Sequence, residues 1–193
     1  MSIAAKLQTI ADNEQRVYDA GKVAERKRWW NGFTQNGTRK HWNYAFFQLG
    51  WNNDTYDPPD DFGFTIQYAY AMFHSSEMED TKKALDFTNL GAAASDVFRS
   101  SKLKTIRTIT VNENVTFNNW FVNCAELESI TFEGTIGQDI SFVDCPLLSA
   151  DSIANVVEHL AAVSVKTTIT INSAIDMSAY KSTIEGKGWT IVQ

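Results

Sequence analysis

Cysteine is scarce in this chain. Cys124 and Cys145 are the whole complement, too few for a disulfide framework. Proline and histidine each occur only three times. No stretch approaches the roughly 20 apolar residues that span a bilayer, so membrane insertion is not expected. The opening MSIAAKLQTIADNEQRVYDA is amphipathic, carries Asp12, Glu14 and Asp19, and lacks the continuous apolar run of a signal peptide. The expectation is a product made in the cytoplasm and not exported by the usual route.

What is present points to a folded body. The 193 residues are 44 % hydrophobic and 21 % charged, which leaves room for one medium domain or two small ones with a real core. Rings are plentiful: 6 Trp, 6 Tyr and 12 Phe imply a ring-rich core, an aromatic binding surface, or both. The net charge of −6 is unevenly spread. Residues 1–40 hold eight Lys and Arg against four Asp and Glu, and the rest of the chain holds nine against 19. A basic segment on an acidic body suggests docking at one end and presentation at the other. The acidic body argues against nucleic acid as a main partner.

Residues 2–28 read as a helix that Ser2 can cap. Ile3, Leu7, Ile10, Glu14, Val17 and Gly21 follow the 4-3-4-3-4 spacing of a coiled-coil seam, which Glu14 and Gly21 interrupt. Two readings stay open: an amphipathic helix packed on its own domain, or a docking and oligomerisation helix carried by Ile3, Leu7, Ile10 and Val17. A lone helix of this length is marginal in water, so it needs a partner of some kind. Arg26, Lys27 and Arg28 suit its C-terminus through the helix dipole.

Residues 29–64 mix rings with Asn, Gly and Pro and read as an aromatic linker of turns and short segments. Trp29, Trp30, Trp42, Tyr44 and Trp51 form either a small aromatic core closing the next domain or a protein-docking surface, since Trp and Tyr dominate hot spots. Carbohydrate stacking is a third reading. The DPPDD run at 57–61 marks a boundary. Beyond it, KTIRTITV (104–111), ESITF (128–132) and TTITI (167–171) alternate like half-buried strands. SADSIANVVEHLAA (149–162) is a helix capped by Ser149 or Asp151, with Ile153, Val156, Val157 and Leu160 on one face. Ser178 is expected to cap a second short helix, broken by Gly186 and Gly188 and followed by a last strand, Trp189 to Val192.

A repeat organises residues 65–193. WFVNCAELESITFEG supplies Phe121, Cys124, Leu127, Ile130 and Phe132. VFRSSKLKTIRTITV supplies Phe98, Ser101, Leu103, Ile106, Ile109 and Val111. SFVDCPLLSADSI supplies Phe142, Cys145 and either Leu147 or Leu148, and then turns helical. A degraded first unit holds Phe73, Ser76, Met78, Leu85 and Phe87. The key Phe residues are 25, 23 and 21 apart, within the leucine-rich-repeat range. A unit this short supplies about one strand and one return turn, and neighbours must stack to bury its apolar face. The aromatic and the small residue three later belong at the turn. The repeat core is therefore Phe98, Leu103, Ile106, Phe121, Cys124, Leu127, Ile130, Phe132, Phe142 and Cys145. The fold expected is α+β: an N-terminal helix (1–28), the aromatic linker (29–64), and a short irregular leucine-rich-repeat β-solenoid (65–193) with a C-terminal capping helix and a final strand.

FVNCAELESITFEGTIG resembles the BspA-like leucine-rich repeats, whose units run roughly Ala-Phe-x-x-Cys-x-x-Leu-x-x-Ile; Val97 and Trp120 depart from the small residue before Phe. ITFEGTIGQDISFVDCPLLSADSIANVVEHL with its following GKGWTIV, and the opening SIAAKLQTIADNEQRVYDAGK, resemble the two ends of proteins from phages and prophages of gut Firmicutes. The resemblance implies a virion structural protein of tail or fibre type. Its partners would be other virion proteins through the N-terminal segment, a host-surface protein or glycan through the repeats, and other copies of itself.

The remaining residues hold little that reads as chemistry. Cys124 and Cys145 occupy equivalent positions of adjacent units, which stack at about 4.8 Å, so their sulfurs can approach. Packing as small hydrophobes is favoured over a disulfide or a metal site. His41, His74 and His159 are isolated, and the spacing puts no nucleophile beside them. The carboxylates cluster as Asp54/Asp57/Asp60/Asp61, an oxygen-rich loop without the calcium pattern, and as Glu77/Glu79/Asp80. GTIGQ (134–138) has no following basic residue for a phosphate loop. No metal, cofactor or catalytic residue is assigned. The expectation is a non-enzymatic display module; the alternatives are a leucine-rich-repeat interaction or adhesin module without a virion role, and a glycan-acting enzyme.

Overall fold

The computed structural model describes Asn13, residues 66–90 and residues 94–193. The N-terminal helix with Ile3, Leu7, Ile10 and Val17, and the aromatic region with Trp29, Trp30, Trp42, Tyr44 and Trp51, lie outside the described residues, Asn13 excepted. Contacts divide the chain into Met1–Arg39 and Lys40–Gln193, and residues 66–193 belong to the second unit.

Helix and strand are mixed. In chain order the elements are β1 (Leu85–Asp86), β2 (Thr105–Val111), β3 (Ser129–Gly134), β4 (Ile140–Phe142), α1 (Ala150–His159), β5 (Thr167–Ile171), α2 (Lys181–Gly186) and β6 (Trp189–Val192). They form two small parallel sheets, ordered β1-β2-β3 and β4-β5-β6, and neither closes into a barrel. Parallel neighbours require the chain to cross back between strands, and the turns and helices between them do so.

β2 shows how the sequence sets the strand. Its buried residues are Ile106, Ile109 and Val111, and the first two are three apart rather than two. A register shift between Ile106 and Thr108 absorbs the extra residue, as a bulge does. Thr81 Oγ1 accepts the Arg107 N–H at 2.9 Å there. β3 turns Ile130 and Phe132 inward, and β5 does the same with Thr167, Ile169 and Ile171. β1 and β4, two and three residues long, carry no readable period in the sequence.

The return side is built from left-handed turns. Ala71, Asp96 and Asn119 have positive φ two residues before Phe73, Phe98 and Phe121; Ser75, Ser100 and Asn123 have it two residues after. Asn and Asp tolerate this region best. Successive turns are tied to each other: Phe73 N–H donates to Val97 O at 2.6 Å and Phe98 N–H to Trp120 O at 3.1 Å. Asp96 joins the same set. Burial opposes its ionisation, but hydrogen bonds from Ser95, Arg99 and Asn119 and the Arg99 charge outweigh that and hold its carboxyl below the usual value.

Inside these turns the Phe rings form one column. Phe73–Phe98, Phe98–Phe121 and Phe121–Phe142 stack at centroid distances of 5.4, 5.8 and 4.7 Å with interplanar angles of 18°, 9° and 24°. Trp120, fully buried, contacts Phe87, Phe98 and Phe117 edge-on or tilted and donates its indole N–H to Ala94 O. All ten residues of the expected repeat core are buried. At the ambiguous position the chain uses Leu148, which is 5 % exposed, and leaves Leu147 55 % exposed.

The helices fit the sequence unevenly. Ser149 caps α1, its Oγ accepting the Ser152 N–H. Ser178 does not cap α2. The helix starts at Lys181, and Tyr180 stands at the cap without a side-chain bond. Ser178 is engaged one turn earlier, its N–H donating to Asp176 Oδ1 at 2.9 Å. The breaker at the far end is Gly188, with φ +88° and room for no Cβ against Val163 O; Gly186 sits in open space as the last helical residue.

Candidate functional surface

The exposed side of the units carries charge in columns. Glu77 pairs with Lys102 at 2.6 Å and Glu79 with Lys104 at 3.4 Å. Asp80 accepts both Arg107 Nε and Nη2, at 3.0 and 2.6 Å. The Glu77 hydrogen bond and charge raise the Lys102 pKa, and Glu126 in the next unit adds to this. Asp80 does the same for Arg107. The acidic cluster of the sequence is thus neutralised by the following unit. The other cluster, Asp54 to Asp61, lies outside the described residues.

Backbone bonds keep these columns in step. Glu79 O accepts the Lys104 and Thr105 N–H groups, Lys104 O accepts those of Glu128 and Ser129, and Glu128 O accepts that of Ser149. At the fourth position the chain enters α1, and α1 lies along β3. Ser152 Oγ accepts the Ile130 N–H at 3.0 Å. Asn155 Oδ1 accepts the Phe132 N–H at 2.6 Å, and its Nδ2 donates to Phe132 O at 3.3 Å. Past the helix, Ile136 N–H donates to His159 O and Ala161 N–H to Ile136 O. The helix expected to end the stack packs on β3, and β5 and β6 follow it, added to β4 instead.

The small-residue column runs Ser76, Ser101, Cys124, Cys145, all buried. Both cysteines are free. Cys124 Sγ donates to Phe98 O at 3.1 Å and Cys145 Sγ to Phe121 O at 3.6 Å. Burial pushes the Cys124 thiol up to about 11. Burial, and then the neighbouring Cys124 and Asp144, push Cys145 further still. Ser76 Oγ is buried with no hydrogen-bond partner.

The remaining chemistry is sparse. Ser75 Oγ lies 3.0 Å from His74 Nδ1, a hydroxyl–imidazole contact between consecutive residues that spacing did not suggest. His159 Nδ1 lies 2.8 Å from Gly134 O; His41 lies outside the described residues. Gly134 and Gly137 serve close approach, since a Cβ would stand 2.0 Å from Val111 O and 2.5 Å from Glu113 O respectively. An open depression of about 570 Å³ lies between the 173–178 loop, Lys181, Glu185, Ile191 and Gln193. Among the described residues no three His, Cys, Asp or Glu side chains converge to hold a metal, and no helix is long and apolar enough to cross a membrane.

Several bonding residues escaped the sequence reading. Lys187 Nζ donates to Val157 O, Glu158 O and Leu160 O at 2.8–2.9 Å, filling the C-terminal carbonyls of α1. Asn112 and Asn172, each following a strand, accept the N–H two residues on and donate to the preceding unit at Thr88 O and Val143 O. The signal was an Asn directly after a β-branched run, at Val111-Asn112 and Ile171-Asn172.

No family model, curated protein or solved structure matches the chain.

Proposed function

We propose that residues 65–193 form a short BspA-like leucine-rich-repeat β-solenoid, and that the chain is a non-enzymatic virion structural protein of tail or fibre type. The supporting observation is the column of Phe73, Phe98, Phe121 and Phe142, whose rings stack in the order in which the sequence repeats them. A stack of this kind offers a rigid face whose side chains differ from unit to unit, and its mechanism is surface complementarity. In this reading the charged columns and strand faces present to a host-surface protein or glycan. The basic N-terminal segment, through Ile3, Leu7, Ile10 and Val17, joins other virion proteins or other copies. The virion is the expected location, after assembly in the host cytoplasm.

Deletion of residues 2–28 in a producing strain tests the reading. Purified particles are expected to lack the truncated protein while cell lysates retain it folded. Particles that carry the truncated protein at the normal level would overturn the anchoring role, and particles that never contain the intact protein would overturn the virion role.

A further inference from the structure

The two ends of the stack are closed unequally. At β6 the outermost apolar side chains are partly open: Ile175 and Ile191 are half-buried, and Val192 is 45 % exposed. At β1 they are shut. Phe73, Met78, Leu85 and Phe87 of the first unit are all 0 % exposed, as deeply buried as Phe98 and Phe132 further along. Phe98 covers one face of the Phe73 ring, so the other face is covered as well. Ser76 sharpens the point. Its equivalents Cys124 and Cys145 each donate to a Phe carbonyl of the unit before, Phe98 O and Phe121 O. The same bond from Ser76 would run away from the second unit. Its hydroxyl is buried without a partner, a costly state unless whatever covers it supplies an acceptor.

We propose that the first unit seats one more unit of the same stack, made by residues 40–66 of the same chain. Ile66 is the visible end of it. Phe87 N–H donates to Thr110 O at 2.9 Å, and Ile66 N–H donates to Asp86 O at 3.4 Å. Asp86 and Thr110 are register partners, so Ile66 stands to β1 as Phe87 stands to β2. Both are buried. Two residues earlier stand Phe64 and Leu85, and Phe62, Phe64 and Ile66 alternate with Gly63 and Thr65, the period of a strand. The length also fits. Contacts group the chain from Lys40 onward with the stack, and 40–66 is 27 residues against Phe spacings of 25, 23 and 21. The proposal rests on the stacked-unit reading of residues 65–193. It assigns Trp42, Tyr44 and Trp51 to the stack and leaves docking to the residues ahead of Lys40.

The test is amide exchange on the full chain. A strand on β1 would direct the Phe64 and Ile66 N–H groups to it and the Thr65 N–H away. Phe64 and Ile66 should therefore exchange about tenfold or more slower than Thr65, the scale of one hydrogen bond. Three amides that exchange alike overturn the added unit. Brief chymotrypsin digestion of the native chain gives a second reading. The stable product should begin upstream of Trp42 and keep Trp51, Phe62 and Phe64 uncut. A stable product that begins after Phe64 overturns the added unit while the stack of 66–193 stands. Cuts spread through 66–193 would overturn the stack itself, and the proposal with it.

Discussion

At Cys124 the surroundings decide what the thiol can do. Burial disfavours the thiolate and outweighs the hydrogen bonds from Ser101 and Ser100 that favour it. The folded thiol therefore ionises near 11 and the unfolded one near 9.0. Below pH 9 both states keep the proton and stability is unaffected. Between about 9 and 11 only the unfolded state loses it, so stability falls as pH rises through that window. Urea midpoints should drop on going from pH 8 to pH 10.5, and Cys124→Ala should flatten part of that drop. An identical slope in the variant would show that other groups set it. The cysteines were legible in the sequence as equivalents because each sits three residues after a Phe. The roles of Ser152 and Asn155 were not, because they depend on which backbone groups the fold leaves open, and no local pattern states that.

At the scale of elements, α1 is held at both ends by different means. Of the two residues that the sequence offered as its cap, Ser149 takes the role, and Asp151 lies in the first turn. The C-terminus depends on Lys187, which reaches back from the far end of α2 to three carbonyls. A cation at that position complements the helix dipole as well as its unpaired acceptors. Lys187→Met keeps the aliphatic stem and removes the ammonium. The expected loss is about 1–3 kcal/mol, read by thermal unfolding, with faster amide exchange in the last turn of α1. Lys181→Met, which loses only an exposed pair with Glu185 at 3.9 Å, should leave the melting temperature where it was. If the two variants behave alike, the carbonyl contacts contribute nothing. β2, β3, β5 and α1 were legible because their periods run for five residues or more. The start of α2 lies three residues beyond Ser178, at Lys181, because Ser178 sits in the turn that Asp176 holds through its N–H, and a turn and a first helical residue look alike in the sequence.

For the whole described molecule, the organising contact is between units. Phe98 stacks on both Phe73 and Phe121 and also meets Trp120. Phe98→Ala should cost about 3–5 kcal/mol in urea unfolding, the range for removing a buried ring. Leu147→Ala, at a solvated position two units on, should stay within about 0.5 kcal/mol. A Phe98→Ala cost below about 1 kcal/mol would mean that the column does not unite the units.

The same column fixes where the chain can change length. From each Phe to the strand residue in register beyond it the chain runs 12, 11 and 11 residues, from Phe73 to Leu85, Phe98 to Ile109 and Phe121 to Phe132. From that residue to the next Phe it runs 13, 12 and 10 residues. The shrinkage of the repeat is therefore taken up mainly after the strands. The units differ in length mainly along that arc, whereas a single added residue between Phe and Cys would knock a ring out of line with its neighbours. Diversity should accumulate along one flank of the molecule, leaving the other as a fixed frame on which new loops can be tried.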